Sequence, residues 1–293
     1  MKLYKILLKI SIYISIKLFK IRLPLSYSFY NFLYKKLILK IKNNNDYILK
    51  FEEHGFSKLN LDFEDLIEKY NIKHSKVKEK DFNNHRTYFF LEKKHEKSFQ
   101  NDLLKKINPI IKDLENYYNV PVYLLNFKAF RIEHFNHIAH KNLELYANKF
   151  HNDGYVMNFF KIFINLENIS DNDGPLHLIS KKYTKEFINK TNYHNRDNYK
   201  SNFDDSIIFK NTGKKGSSLI FSPSLCFHKA GIPNNYRDTI QLVLAALPIN
   251  KKELSNEDLN IFEDNKHLIY LTKPYGFFHS LKFLINNFKH KHA

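Results

Sequence analysis

A single cysteine, Cys226, stands in 293 residues, and that scarcity removes two structural options. No internal disulfide framework can form, and no zinc site built on several thiolates is available. A reducing, cytoplasmic compartment is the expectation. Tryptophan is absent, glycine occurs only seven times, and five arginines stand against 42 lysines. Asn, Lys, Ile, Tyr and Phe are abundant instead, the bias expected of an AT-rich coding sequence. An arginine or glycine kept against that bias is correspondingly informative. Long apolar runs are also missing near the start. Within residues 1 to 23 the longest uncharged stretch is Ile10 to Ile16, seven residues, against the roughly 20 needed to span a bilayer. Charges interrupt this region and no small-residue cleavage site follows, so it is not expected to be a signal peptide.

What is present is a globular composition, 43% hydrophobic and 16% aromatic, with length enough to bury a sizeable core. The formal net charge is +17, unevenly placed. Residues 1 to 45 hold nine Lys, one Arg and no acid; residues 265 to 293 hold five Lys and no acid; the stretch from 46 to 264 keeps only +2. A nucleic-acid reader spreads its cations over a face of the folded domain, so nucleic acid is not the expected partner. Lys2, Lys5, Lys9, Lys17 and Lys20 fall within one arc at 100° per residue, opposite Ile and Leu. That is the pattern of a basic amphipathic helix lying on an anionic membrane surface, on the inner face of a membrane. The alternative is a helix packed on the core with its Lys face in water. The division expected is a basic segment over 1–45, a domain over 46–250 and a basic extension over 251–293.

Along that domain, Phe51-Glu-Glu-His-Gly55-Phe56 reads as a short helix ending at a glycine cap and running into a strand. Residues 98 to 118 carry apolar positions at helical spacing and stop before Val120-Pro121. The period then changes. Residues 122–131, 156–167, 174–179, 217–222 and 239–247 are short β-rich runs bounded by Gly, Pro, Asn or Asp. Helices first and strands afterwards point to an all-β core with flanking α-helices, a double-sheet jelly roll. The polar stretch from Ser180 to Thr212 reads as a long loop or lid.

The chemistry sits among those strands. In His151-Asn152-Asp153 the side chains at i and i+2 of an extended segment share one side, so an imidazole and a carboxylate can meet one ion. Two His and one carboxylate form the facial set of non-haem Fe(II) oxygenases. A His-x-Asp pair alone is weak, since a chain with this composition holds about 0.8 by chance. Its context adds weight. A strand leads into Asp171-Asn172-Asp173-Gly174-Pro175, a turn signal. Gly216-Ser-Ser-Leu-Ile-Phe221 follows, and then Phe227-His228-Lys229-Ala230-Gly231. Nine residues beyond His228 stands Arg237, one of the five arginines, with Thr239 at the start of an apolar strand. A buried Arg grips a carboxylate with two parallel hydrogen bonds, which Lys cannot reproduce.

With these residues in this order, the stretch from about 48 to 248 resembles the phytanoyl-CoA dioxygenase family of Fe(II)/2-oxoglutarate oxygenases. The matching elements are Phe51 to Phe56, His151 and Asp153, Gly174-Pro175-Leu176, His228 and Arg237. The resemblance implies a double-stranded β-helix, of cupin-like type, with Fe(II) held by His151, Asp153 and His228. It implies Arg237 for the distal carboxylate of 2-oxoglutarate, with Lys161, Asn158 and Thr239 as candidates for the second anchor. The implied reaction consumes O2 and 2-oxoglutarate, releases succinate and CO2, and hydroxylates a C–H bond of a small-molecule or lipid-like substrate. An Asp at position 153 implies hydroxylation rather than halogenation. The basic ends incline the substrate towards a lipid or lipid-linked glycan precursor. Its pocket is expected between residues 181–212 and 130–150. The chain departs from the family at Ile179-Ser180-Lys181-Lys182-Tyr183, where a Pro-Gly-Ser-His element is frequent, and at Phe150, where Trp is common.

Two rival readings follow from the same features. One is a catalytically silent binder of small molecules or lipids on the same fold, the other a membrane-surface adaptor. His134, His137 and His140, spaced by three, are read as an irregular polar segment rather than a second metal cluster. Cys226 is read as a small core residue beside the distal ligand, and the Lys/His tail at 289–292 as a solvated end.

Overall fold

The computed structural model describes residues 45–72, 77–81, 86–135, 147–153, 158–191, 203–247, 251–252, 254–263 and 265. The basic segment 1–44, His137, His140 and the tail beyond 265 lie outside them. Among the described residues no helix is long and apolar enough to cross a membrane.

The chain enters through α1 (Asp46–His54), which buries Ile48 and Phe51. The helix stops at Gly55, whose φ of 83° is the left-handed cap and whose N–H donates to the Phe51 carbonyl. Strand β1 (Phe56–Leu59) follows at once, as expected from the sequence. Next come α2 (Glu64–Tyr70), the paired strands β2 (Val77–Asp81) and β3 (Arg86–Phe90), and α3 (Lys93–Tyr118). Helix α3 is stable because Phe99, Leu103, Ile107, Ile110, Ile111, Leu114 and Tyr118 recur at three- and four-residue spacing and are all buried. It ends at Asn119, itself left-handed, just before Pro121.

From there the chain is β-rich: β4 (Val122–Glu133), β5 (Phe159–Asn165), β6 (Leu176–Ile179), β7 (Ile208–Lys210), β8 (Ser218–Phe221), β9 (Phe227–Ala230) and β10 (Tyr236–Ala246). All pairings are antiparallel. They build a large sheet of order β1-β8-β5-β10-β4-β3-β2 and a small one of order β7-β6-β9. After β5 the chain passes to the small sheet for β6 and β7, back for β8, across for β9 and back for β10. The bridge between His151 and His228 extends the small sheet beyond β9. Two sheets wound in this alternation are a double-stranded β-helix. The sheets meet through Phe163, Leu219 and Phe221 on one side and Leu176 and Leu178 on the other.

Successive residues of β5 and β10 face opposite ways. Phe160, Ile162 and Ile164, with Ile240, Leu242 and Leu244, join the α3 stripe in the main core. Lys161, Phe163 and Asn165, with Gln241 and Thr239 opposite the last two, lie on the other face, towards the small sheet, while Val243, opposite Lys161 and beside a β-bulge, belongs to the main core.

Two stretches depart from the sequence reading. The expected lid over 180–212 begins as helix α4 (Lys181–Thr191) and ends in β7, with 192–202 outside the described residues. The helix forms because Thr184, Phe187 and Ile188 make one stripe, on which Phe187 and Ile188 pack against Phe150, Ile179 and Phe227. The domain also continues past residue 250. Leu259 and Ile261 belong to the main core, the Gln100 amide donates to Leu259 O at 2.6 Å, and Phe127 N–H donates to Ile261 O at 2.9 Å.

Candidate metal centre

The backbone places the two histidines before any ion is considered. His151 N–H donates to His228 O at 3.1 Å, and His228 N–H donates back to His151 O at 2.9 Å. This reciprocal pair joins residues far apart in sequence, and the imidazole centroids lie 4.3 Å apart. Asp153 is held by its own N–H, which donates to Pro223 O at 2.9 Å. Its Oδ1 lies 3.4 Å from His151 Nε2 and 3.7 Å from His228 Nε2. One ligand atom from each of the three residues falls within 4.8 Å of the others.

The orientation of each ring has a local cause. His151 Nδ1 is 2.7 Å from Lys149 O, and His228 Nδ1 is 3.2 Å from Cys226 O. A carbonyl can only accept, so both Nδ1 atoms carry the proton, and the Nε2 lone pairs are left for an ion. Both partners lie two residues upstream, so the extended backbone supplies its own tautomer lock. Phe221 sits edge-on to His228 with centroids 5.2 Å apart.

Electrostatics favour the ligand states. Burial opposes ionisation of Asp153, but the Lys161 ammonium, with His228 and His151, holds its carboxyl well below the usual range. Burial, aided by His151, pushes His228 well below an ordinary histidine, so it is a neutral imidazole at physiological pH. Lys161 Nζ is 2.6 Å from Asp153 Oδ2. The donor set fits a small divalent transition ion: two imidazoles and one carboxylate, three ligand atoms in all among the described residues. Two ligands of one ion at about 2.1 Å can lie no farther apart than about 4.2 Å, and both carboxylate–imidazole separations meet that limit.

The other residues singled out by sequence are distributed as follows. Arg237 is 2% exposed and lies on the face of β10 that carries Thr239, turned between the sheets. One of its guanidinium nitrogens donates to Gly174 O. Gly174 has φ 61°, and a Cβ there would lie 2.4 Å from Pro233 N, so no other residue fits this turn. Thr239 is buried opposite Asn165. The Asn158 side-chain amide donates to Ala246 O at 2.8 Å, where it ties β5 to the end of β10. His134 is engaged with Pro233 O through Nδ1, 2.8 Å away. Cys226 is buried, donates to His54 O at 3.3 Å, and has its thiol pKa pushed up by burial, which leaves it inert. The pairing of Lys161 with Asp153 was not legible in the sequence; the signal available was a lone Lys inside an apolar strand.

No family model matches the sequence, and no curated protein matches it. Solved structures are similar at low identity. HygX from Streptomyces hygroscopicus, crystallised with nickel and 2-oxoglutarate, is 11% identical over 75% of this chain and 96% of its own, with a TM-score of 0.49. SnoN, a non-heme alpha ketoglutarate dependent epimerase from nogalamycin biosynthesis, is 11% identical over 68% and 82%, with a TM-score of 0.46. EctD from S. alaskensis, crystallised with 2-oxoglutarate and 5-hydroxyectoine, is 13% identical over 72% and 80%, with a TM-score of 0.45.

Proposed function

We propose that this chain is a non-haem Fe(II)- and 2-oxoglutarate-dependent oxygenase of the phytanoyl-CoA dioxygenase type, which hydroxylates a small-molecule or lipid-like substrate. The observation that carries this reading is the convergence of the largely buried His151 Nε2, Asp153 Oδ1 and His228 Nε2, with both Nδ1 atoms committed to carbonyls. A site preorganised to that degree, with three protein ligands among the described residues, leaves positions for a chelating co-substrate and O2.

In this reading Fe(II) supplies the oxidising chemistry, coupled to decarboxylation of 2-oxoglutarate to succinate and CO2. The protein binds, orients and excludes water. His151, Asp153 and His228 present one face of ligands. Arg237 offers a fixed, buried cation for the distal carboxylate, with Thr239 two residues along the same face of β10. Phe163, Leu219 and Phe221 form an apolar patch between the sheets beside those polar groups. The basic segment 1–45 is proposed to rest on an anionic membrane surface, each Lys or Arg contributing about 1 kcal/mol there; sedimentation with anionic liposomes should fall steeply as salt rises.

The test is Fe(II)-dependent release of succinate from 2-oxoglutarate, with isothermal titration of the metal-free protein. One equivalent of Fe(II), added anaerobically, should bind wild type, and Asp153→Ala should lose both binding and turnover. Full turnover in Asp153→Ala would mean that another residue holds the metal.

A further inference from the structure

The two oxygens of Asp153 have different neighbours. Oδ1 faces the imidazoles, at 3.4 and 3.7 Å. Oδ2 is taken by Lys161 Nζ at 2.6 Å. The carboxylate is 12% exposed and the lysine side chain 15%, so this is a shielded pair rather than a surface one. Both ends of it are anchored. Asp153 is tied through its N–H to Pro223 O. Lys161 projects from the middle of β5, in register with Phe221 on one side and Val243 on the other. Between two apolar neighbours the ammonium has the Asp153 carboxylate as its shielded counter-charge.

We propose that Lys161 is a positioning residue that makes Asp153 a one-oxygen ligand and gives the metal pocket an extra positive charge. This rests on the reading above, that the pocket holds a divalent ion. Three consequences follow from the geometry. With Oδ2 occupied, a cation can reach only Oδ1, so one more coordination position stays open than a two-oxygen carboxylate would leave. Ions that favour two-oxygen carboxylates and many oxygen ligands, such as Ca²⁺, are disfavoured relative to small transition ions. The ammonium also repels the metal ion while attracting any anion bound beside it, so it trades metal affinity for affinity towards an anionic co-substrate.

Co(II), which is stable in air, serves as the probe, read by titration calorimetry and by the carboxylate stretches in the infrared difference spectrum. Metal-loaded wild type should show the wide separation of antisymmetric and symmetric stretches that marks one-oxygen binding. Lys161→Met should bind Co(II) about tenfold tighter or more, since one repelling unit charge at close range is gone. Its stretch separation should narrow, and its Co(II)-loaded form should bind 2-oxoglutarate at least about tenfold more weakly. Lys161→Arg keeps the charge and should keep the wide separation. The proposal is overturned if wild type already shows the narrow separation, or if Lys161→Met matches wild type in Co(II) affinity and spectrum. The wild-type measurement decides even if Lys161→Met does not fold. Failure of wild type to bind Co(II) at all would instead remove the oxygenase reading.

Discussion

Strands β5 and β10 present two faces with opposite duties, and the alternation of a single pair of strands separates them. Outward, Phe160, Ile162, Ile164, Ile240, Leu242 and Leu244 lie under α3 in the main core. Inward, Lys161, Asn165, Arg237 and Thr239 are almost as well shielded from water, yet each carries a polar or charged group. The outer face holds the fold together by apolar burial. The inner face spends part of that stability on groups that water would otherwise solvate. The contrast shows that burial alone does not identify core positions in this protein; the chemical partner of each buried atom does.

The largest effect that could break this division is on the outer face. Phe160 is fully buried and its ring lies 5.4 Å from Tyr118 and 6.4 Å from Phe51. Phe160→Ala should cost about 3–5 kcal/mol, read as a shift in the urea midpoint with little change in slope. A wild-type midpoint would mean that the outer face is not what stabilises the sheet.

Next in size is the inner face, where function should suffer more than stability. Arg237→Lys should raise the apparent constant for 2-oxoglutarate by about a hundredfold, close to 2.7 kcal/mol, because a single ammonium cannot reproduce a two-point grip. Co(II) affinity should stay near wild type. If 2-oxoglutarate dependence is unchanged, Arg237 serves the turn at Gly174 and not a ligand.

A smaller effect sharpens the comparison on the small sheet. His177 lies in register between Lys210 and Lys229. Burial, then those lysines and Arg237, push its pKa down to about 4. The folded protein therefore leaves His177 neutral where the unfolded chain protonates it. Between about pH 6.5 and 4 the unfolded state binds more protons, so stability is lost as pH falls through that window. After allowance for solvent screening this amounts to about 1 kcal/mol. His177→Gln should flatten that part of the stability–pH curve, read by urea melts at several pH values; an unchanged slope would assign the acid sensitivity to other groups.

The outer face was far more legible in the sequence than the inner one. The change from helical to alternating period located α3 and the strands β4, β5, β6, β8 and β10, because apolar burial repeats along an element. The Gly55 cap was equally plain, since it needs one residue type at one position. Helix α4 was hidden because lysines dilute its short stripe of Thr184, Phe187 and Ile188. Strands β2 and β3 were missed because they lack a regular apolar alternation. On the inner face the His-x-Asp spacing was visible because it is local, and His228 followed from the order of motifs. The pairing of Lys161 with Asp153 depends on where β5 lies against the segment that follows Phe150, a distance that no spacing along the chain encodes.

The mutual bridge between His151 and His228 has a consequence for how this protein responds to its surroundings. It joins two points of the chain separated by most of the jelly roll, in a polypeptide whose single cysteine, Cys226, is buried and reduced. An ion bound across that bridge acts as a reversible clasp that only the folded state can close. Its contribution grows with the logarithm of free metal, about 2.7 kcal/mol when the ion is at a hundred times its dissociation constant. Thermal stability thus becomes a gauge of metal supply, and a chelator should lower the melting temperature of the whole domain even when no substrate is present.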